Sequence, residues 1–233
     1  MIDNLKNLYD DKDKSYYGYA RTEIISLIPG RGLKVLDIGC GKGATLMELK
    51  KSGKAAQAVG IEINQEAAAA AGPLLDDVIV GNIEDLVINY PAGHFDVIIM
   101  ADVLEHLVDP WSAISKVRRH LDKDGLLIAS LPNLREFSTI SALLFQGDFR
   151  YAGAGILDRS HLRFFCKKNM VELFRDGFEI TEIRSIPELA KGEMAWLNKL
   201  TCRIFEEFLV TQYIIVARNK TASAPIPGGT KDG

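Results

Sequence analysis

Three features of the 233-residue sequence predict an α/β fold with a doubly wound, mainly parallel sheet. Apolar segments with the pattern of buried strands alternate with segments that have the period of amphipathic helices. The strand-like run Leu33–Ile38 leads directly into a glycine-rich turn, as the first strand of such sheets does. The apolar and charged fractions, 47% and 25%, are those of ordinary globular proteins, so one large domain is expected.

Each element follows from its local pattern. The expected strands are Leu33–Ile38, Ala56–Ile61, Val78–Val80, Phe95–Met100, Gly125–Ser130, Phe178–Ser185 and Tyr213–Ala217. The expected helices are Tyr16–Ile28, Ala44–Lys51, Glu66–Ala71, Pro110–Leu121, Phe137–Phe145 and Lys167–Arg175. Asp109-Pro110 is a suitable helix start, because proline fits the first helical position. The domain is expected to span residues 1–220, and 221–233 is interpreted as a disordered tail from its Gly, Pro, Ser and Thr content.

Charge, cysteine content and hydropathy disfavour several classes of protein. The net charge of −3 offers no broad basic surface for nucleic acid. The cysteines, Cys40, Cys166 and Cys202, lie far apart and form no CxxC pair, which fits a reducing compartment. No apolar run approaches the roughly 20 residues of a membrane span, and Met1–Lys14 lacks the apolar core of a signal peptide. We therefore expect a cytoplasmic protein.

The segment Val35–Gly43 is the central motif, because it joins a buried strand to a loop with glycine at every second position. Such a loop brings backbone N–H groups close to a ligand. Gly39, Gly41 and Ala44 also satisfy the dinucleotide fingerprint, so the glycines alone do not identify the ligand. The carboxylate of Asp37, just before the loop, would oppose a pyrophosphate and favours a cationic ligand such as S-adenosylmethionine (SAM).

Glu62 ends the second strand, about 20 residues after the glycines, where a carboxylate can accept hydrogen bonds from ribose hydroxyls. The alternative interpretation is a solvated acid at the end of a strand. The position of Glu62 relative to the glycine loop favours the ribose contact.

Four segments together resemble successive motifs of the class I SAM-dependent methyltransferases. They are Val35–Gly43, Glu62, Gly81–Asp85 and Phe95–Pro110. The resemblance covers about Leu33 to Ser185 and implies a three-layer fold with seven strands and a reversed last hairpin. It implies that residues 131–165 and 186–207 cover the acceptor site.

The resemblance also implies a set of cofactor contacts. These are Asp37, Gly39, Cys40, Gly41 and Gly43 at the methionine part, Glu62 at the ribose, Ile63, Asn82, Ile83 and Glu84 at the adenine, and Ala101, Asp102 and Val103 facing the methionine and the methyl group. One position departs from the family pattern, since relatives commonly carry aspartate where Asn82 stands. The amide oxygen of asparagine can still accept a hydrogen bond.

Phe95–His106 resembles the small-molecule branch of the family, including the ubiquinone-type O-methyltransferases and MetW-like proteins. Asp158–Phe165 is similar to methyltransferases of sugar and polysaccharide pathways. These likenesses imply methylation of a small molecule, at oxygen. Two alternatives remain, a SAM-binding partner without an acceptor of its own and an NAD-dependent oxidoreductase.

Methyl transfer from a sulfonium is an in-line displacement that needs positioning more than covalent machinery. If the acceptor is a hydroxyl, His106 is the first candidate base and His161 the second; the alternative for each is a structural residue that pins its loop. Because the histidines are scattered along the sequence, no metal requirement is expected.

Three further patterns have two interpretations each. Arg159, His161 and Arg163 alternate, so in an extended segment they would share one face that could receive an anionic acceptor, or they form a solvated surface. The apolar stripe in Phe137–Phe145 could cover a hydrophobic acceptor or pack on its own domain. The helix that carries Tyr16, Tyr17 and Arg21 is expected to close over the cofactor, although core packing would also explain the tyrosines.

Overall fold

The computed structural model describes residues 18–187 and 206–220. The strands are β1 Leu33–Ile38, β2 Ala55–Glu62, β3 Asp77–Val80, β4 Phe95–Ala101, β5 Leu121–Pro132, β6 Phe178–Pro187 and β7 Val210–Asn219. They form one seven-stranded sheet in the order β3-β2-β1-β4-β5-β7-β6. Pairs among β1 to β5 are parallel, whereas β7 runs antiparallel to β5 and β6. The expected mainly parallel sheet with a reversed last hairpin is confirmed.

The α-helices precede β1, follow β1, β2 and β4, and lie between β5 and β6. They are α1 Thr22–Ile25, α2 Ala44–Lys51, α3 Gln65–Ala71, α4 Pro110–Arg118, α5 Phe137–Ser141 and α6 Lys167–Leu173. Turns of 3-10 helix cover Leu104–His106 and Glu206–Leu209, and a π-helical turn over Ala142–Gln146 extends α5. Within the described ranges, no helix combines the length and the apolar character that crossing a bilayer requires.

The core has two layers, one on each face of the sheet. Along β1, Val35 packs into one layer and Leu36 into the other, because successive side chains of a strand point to opposite faces. The layer around Leu36 includes apolar residues of α4 and α6, and the layer around Val35 includes those of α1 and α2. Helices therefore cover both faces, and the apolar β1 is buried as a central parallel strand should be.

The first expected helix is much shorter in the structure. Of Tyr16–Ile28, residues 16 and 17 lie outside the described residues, and α1 is a single turn. Arg21 just before it is not helical, with φ −81° and ψ 78°, and its amide donates to Thr45 Oγ1 at 3.1 Å. This contact with α2 holds Arg21 outside helical geometry where the periodicity alone predicted a helix.

The boundary between α4 and β5 also differs from the expectation. The helix begins as expected, with Pro110 at its first position and the Asp109 side chain accepting from Ser112 N at 3.0 Å. It ends at Arg118, and β5 starts at Leu121 because Leu121 pairs with Phe95 of β4. Strand pairing therefore overrides the helical pattern of the last residues.

The apolar stripe on α5 and the π-helical turn does not pack on the domain. The expected helix is present, but Phe137 is 49% exposed and Leu144 is 70% exposed. The interpretation of this stripe as part of the core is wrong.

Candidate functional site

A cavity of about 560 Å³ opens at the carboxyl ends of β1, β2, β3 and β4. Its size suits a nucleoside-sized ligand, and this edge of a doubly wound sheet is where such ligands bind. The predicted residues that line it are Asp37, Gly39, Cys40, Gly41, Glu62, Ile63, Asn82, Ile83, Glu84, Ala101, Asp102, Val103 and His106. Gly43 and His161 are not among the lining residues. Side chains that were not predicted to contact a ligand also line it, including Tyr19, Thr45, Asp85 and Leu107.

The glycine loop lies against β2 and the turn after β4. The amides of Gly39 and Cys40 both donate to Ile61 O, at 2.8 and 3.1 Å. Gly39 has φ of 73°, and a Cβ there would lie 2.8 Å from Val103 Cγ2. Position 39 therefore requires glycine for both its backbone conformation and its close approach.

Gly43 does not line the cavity but packs against the residues at the end of α3. It is the left-handed N-cap of α2, with φ of 78°, and a Cβ there would lie 3.3 Å from Ala71 Cβ. Cys40 packs beneath the loop, where a Cβ at Gly60 would lie 2.4 Å from its Sγ. Burial, followed by the charges of Asp37 and Glu62, raises the pKa of the Cys40 thiol, so the thiol stays neutral.

Asp37 and Glu62 form a pair of buried acids on the cavity wall, 5% and 4% exposed. Burial and then the neighbouring Glu62 raise the pKa of Asp37 to about 8, with Arg21 opposing. Burial also raises the pKa of Glu62, although its carboxylate accepts from Gly41 N and Asn64 N, each at 2.8 Å. Two acids in one buried place disfavour each other's ionisation, so a cation bound between them would be stabilised.

Asp102 follows β4 in a strained conformation, with φ of 55°. Ser130 Oγ donates to Asp102 Oδ1 at 2.8 Å, and the side chains of Arg21 and Gln212 also donate to this carboxylate. Burial opposes the charge of Arg21, but the charges of Asp102 and Glu23 outweigh it and raise the pKa of the guanidinium. Arg21 thus lines the cavity with its positive charge held in place by Asp102, which Ser130 and Gln212 hold in turn.

The segment after β3 is held by its own turn and by α4. Asn82 Oδ1 accepts from Glu84 N at 3.0 Å, and the Glu84 carboxylate accepts from Asp109 N at 2.8 Å. Lys116 Nζ donates to Ile83 O at 2.8 Å. Asparagine supplies here the acceptor oxygen that aspartate would supply, so the departure at position 82 leaves the turn intact.

His106 and His161 are in contact, although 55 positions separate them in the sequence. Their ring centroids lie 4.7 Å apart at 70°. His106 Nδ1 lies 3.0 Å from Ser160 O, and His161 Nδ1 lies 2.9 Å from Ile156 O. Both rings are buried, but only His106 of the two lines the cavity. The fold therefore brings together two histidines that are far apart in the sequence.

Arg159, His161 and Arg163 do not share one face, as they would in an extended segment. The segment turns at Asp158, whose Oδ1 accepts from Ser160 N at 2.8 Å, so His161 points inward while both arginines are exposed. Arg163 donates to Val108 O at the cavity rim through Nε at 3.2 Å.

Comparisons with known proteins agree with this geometry. The family model described as "Methyltransferase domain" matches residues 12–183. A ubiquinone biosynthesis O-methyltransferase of Actinobacillus pleuropneumoniae serotype 7 is 38% identical over 111 residues, which are 44% of this chain and 47% of that protein. A mitochondrial ubiquinone biosynthesis O-methyltransferase of Dictyostelium discoideum is 26% identical over 211 residues, or 83% of this chain and 62% of that protein. The matched part of the chain spans about half of the first of these relatives.

The crystal structure of a SAM-dependent methyltransferase from Archaeoglobus fulgidus superposes with a TM-score of 0.64 at 18% identity, covering 85% of this chain and 90% of that one. At this identity the superposition shows the fold. The sheet order and the position of the cavity define the class as that of SAM-dependent methyltransferases, whose cofactor is SAM. The chain belongs to the methyltransferase-domain family, and this membership decides against the dinucleotide alternative.

Proposed function

We propose that this protein binds SAM in the cavity and catalyses transfer of its methyl group to an oxygen of a small-molecule acceptor. The observation that carries the proposal is the buried pair Asp37 and Glu62 at the carboxyl ends of adjacent strands. SAM supplies an electrophilic methyl group on a cationic sulfur. A site with two buried acids suits a ligand with ammonium and sulfonium charges and opposes the phosphates of a dinucleotide.

Each wall of the cavity has a role in holding the cofactor. Asp37 offers its charge to the cationic amino-acid part, and the loop Gly39–Gly41 offers backbone groups at close approach. Glu62 accepts from ribose hydroxyls with the lone pairs that its backbone hydrogen bonds leave available. Ile63 and the turn of Asn82, Ile83 and Glu84 would hold the adenine, while Gly43 acts indirectly by setting the start of α2.

Arg21 and Asp102 form the end of the cavity nearest the amino-acid part. The guanidinium of Arg21 lines the cavity and suits a carboxylate. Because Ser130 and Gln212 also hold Asp102, the ion pair keeps its geometry when a ligand arrives. Ala101 and Val103, on either side of Asp102, line the cavity and would contact the methionine part and the methyl group.

His106 is the residue that we assign to the acceptor. It lines the cavity beside Val103 and Leu107, and the carbonyl of Ser160 accepts from Nδ1, which leaves Nε2 with its lone pair. A lone pair at this wall can assist removal of a hydroxyl proton as the oxygen attacks the methyl group. Methylation at oxygen is also the activity in the names of the ubiquinone biosynthesis relatives.

The test is transfer of radiolabel from methyl-labelled SAM into a small-molecule extract, with the labelled product identified by chromatography and alkaline hydrolysis. We expect label in an O-methylated metabolite for the native protein and none for Asp37→Asn at limiting SAM. Binding of SAM with no label in any metabolite would contradict the proposal and favour the alternative of a SAM-binding partner protein.

A further inference from the structure

Three metal-ligand side chains meet behind the wall of the cavity, which His106 alone of the three lines. Glu105 and His106 lie in the 3-10 turn after β4, and His161 comes from the segment before α6. All three are buried, being 1%, 7% and 9% exposed. One ligand atom from each lies within 4.8 Å of those of the other two.

The two imidazoles present the correct nitrogen for coordination. A backbone carbonyl can only accept a hydrogen bond, so Ser160 O and Ile156 O require a proton on Nδ1 of His106 and His161. In the neutral form that binds a metal, each ring then has its lone pair on Nε2. A histidine whose other nitrogen donates to a carbonyl is the usual arrangement of a metal ligand, since that hydrogen bond fixes the tautomer and orients the ring.

The backbone holds the two segments together before any ion binds. The amides of Leu162 and Arg163 donate to Glu105 O, at 2.8 and 2.9 Å. Asp158 accepts from Ser160 Oγ at 2.6 Å and so stabilises the turn that presents His161. Ligands at about 2.1 Å from one ion lie roughly 3 to 3.5 Å from each other. Rotamer changes that move the ligand atoms by about 1 to 1.5 Å would therefore bring all three within bonding distance of one ion.

We propose that Glu105, His106 and His161 bind a divalent first-row transition cation of the Zn²⁺, Fe²⁺ or Mn²⁺ class. Two imidazoles and one carboxylate suit these ions better than Mg²⁺ or Ca²⁺, which prefer all-oxygen ligand sets. Three protein ligands leave coordination positions open for an exogenous oxygen, as in catalytic sites.

The role of the ion rests on the proposed function, whereas its binding does not. Because His106 lines the cavity, an ion bound to it would lie next to the cavity, where an acceptor hydroxyl could reach it. Coordination of the acceptor hydroxyl lowers the pKa of that hydroxyl, and its proton leaves to water. The oxygen then forms a bond to the methyl carbon while the carbon–sulfur bond breaks, and S-adenosylhomocysteine departs as a neutral thioether. His106 is thus a ligand of the ion that activates the hydroxyl, in place of a direct base.

The test is a titration of the chelator-treated full chain with Co²⁺, followed by its visible absorption, and then with Zn²⁺ in competition. We expect one equivalent of Co²⁺ with d–d bands of nitrogen and oxygen ligation, displaced by one equivalent of Zn²⁺. His161→Gln and Glu105→Gln should each weaken binding at least tenfold. His120→Gln, whose ring lies beside Pro91 O at 3.4 Å and outside the cluster, is the matched control and should bind as the native chain does.

Absence of saturable Co²⁺ binding by the native chain, or equal binding by His161→Gln and Glu105→Gln, would overturn the proposal. The native titration is decisive even if a variant fails to fold. SAM calorimetry on the chelated protein separates the two proposals. Metal binding without SAM binding refutes the proposed function alone, whereas methyl transfer that is unchanged by chelation, together with no metal binding, refutes this inference alone.

Discussion

Replacement of Asp37 by asparagine should stabilise the ligand-free protein and weaken SAM binding. The pKa of Asp37 is raised from 3.8 to about 8, so between those values the native state keeps a proton that the unfolded chain has lost. Stability contributed by this proton is complete below pH 4 and is lost as the pH rises towards 8. One unit of pKa corresponds to about 1.4 kcal/mol, so the roughly three units between the ordinary pKa and pH 7 make Asp37 cost up to about 4 kcal/mol there.

Asparagine has nearly the same shape and no charge to bury, so Asp37→Asn removes this cost. Urea unfolding of the ligand-free protein at pH 5, 6, 7 and 8 measures it. The free energy of unfolding of the native chain should fall with pH more steeply than that of Asp37→Asn. Asp124 is an exposed acid in β5, so Asp124→Asn is the control, and its free energy of unfolding should change with pH as that of the native chain does.

Ligand binding should show the opposite dependence on pH. A cationic ligand requires ionised Asp37, and the ionised fraction rises from about 1% at pH 6 to half at pH 8 for a pKa of about 8. SAM affinity of the native chain should therefore rise by up to about fiftyfold over this range, with release of a proton. The affinity of Asp37→Asn should be low and insensitive to pH. Parallel stability curves, or SAM affinity that is equally flat in both proteins, would refute the reasoning.

Three other perturbations test separate parts of the site. Gly39→Ala should lose about 1–3 kcal/mol of unfolding free energy in urea, from its positive φ and the contact with Val103, whereas Gly153→Ala, with open space around its Cβ, should lose less than 1 kcal/mol. His106→Ala should lower methyl-transfer turnover by about a hundredfold while SAM affinity in calorimetry stays within about threefold, and unchanged turnover would remove His106 from the mechanism. Arg21→Gln should weaken SAM binding at least tenfold, because the cation that Asp102 holds at the cavity is lost; equal affinity would show that this cation does not contact the ligand.

The sequence predicts the first βα unit to the residue, because every signal there is local. Leu33–Ile38 is a continuous apolar run apart from Lys34 and Asp37, and Ala44–Lys51 begins after the last glycine of the loop. The boundary at Leu121 was missed because pairing with Phe95 of another strand decides it. The two interpretations of the apolar stripe on α5 could not be separated from the sequence, because periodicity shows which residues share a face but not whether another element covers that face.

For the site, too, local signals can be predicted from the sequence, whereas contacts between distant segments cannot. Residues that follow parallel strands can be assigned to one cavity, because the carboxyl ends of those strands share an edge of the sheet. The contact between His106 and His161 depends on backbone hydrogen bonds between segments 55 residues apart, which leave no periodic signal. The anchoring of Arg21 by Asp102 likewise joins residues 81 positions apart. The sequence identifies these residues one by one, but their contacts form only in the folded chain.

Calorimetric titration of the native chain at pH 8 with SAM and with NAD tests most directly whether the buried acid pair selects a cationic nucleoside. We predict saturable one-to-one binding of SAM, no measurable binding of NAD, and a loss of SAM affinity of at least tenfold in Asp37→Asn. NAD binding with an affinity equal to or greater than that of SAM would contradict the account.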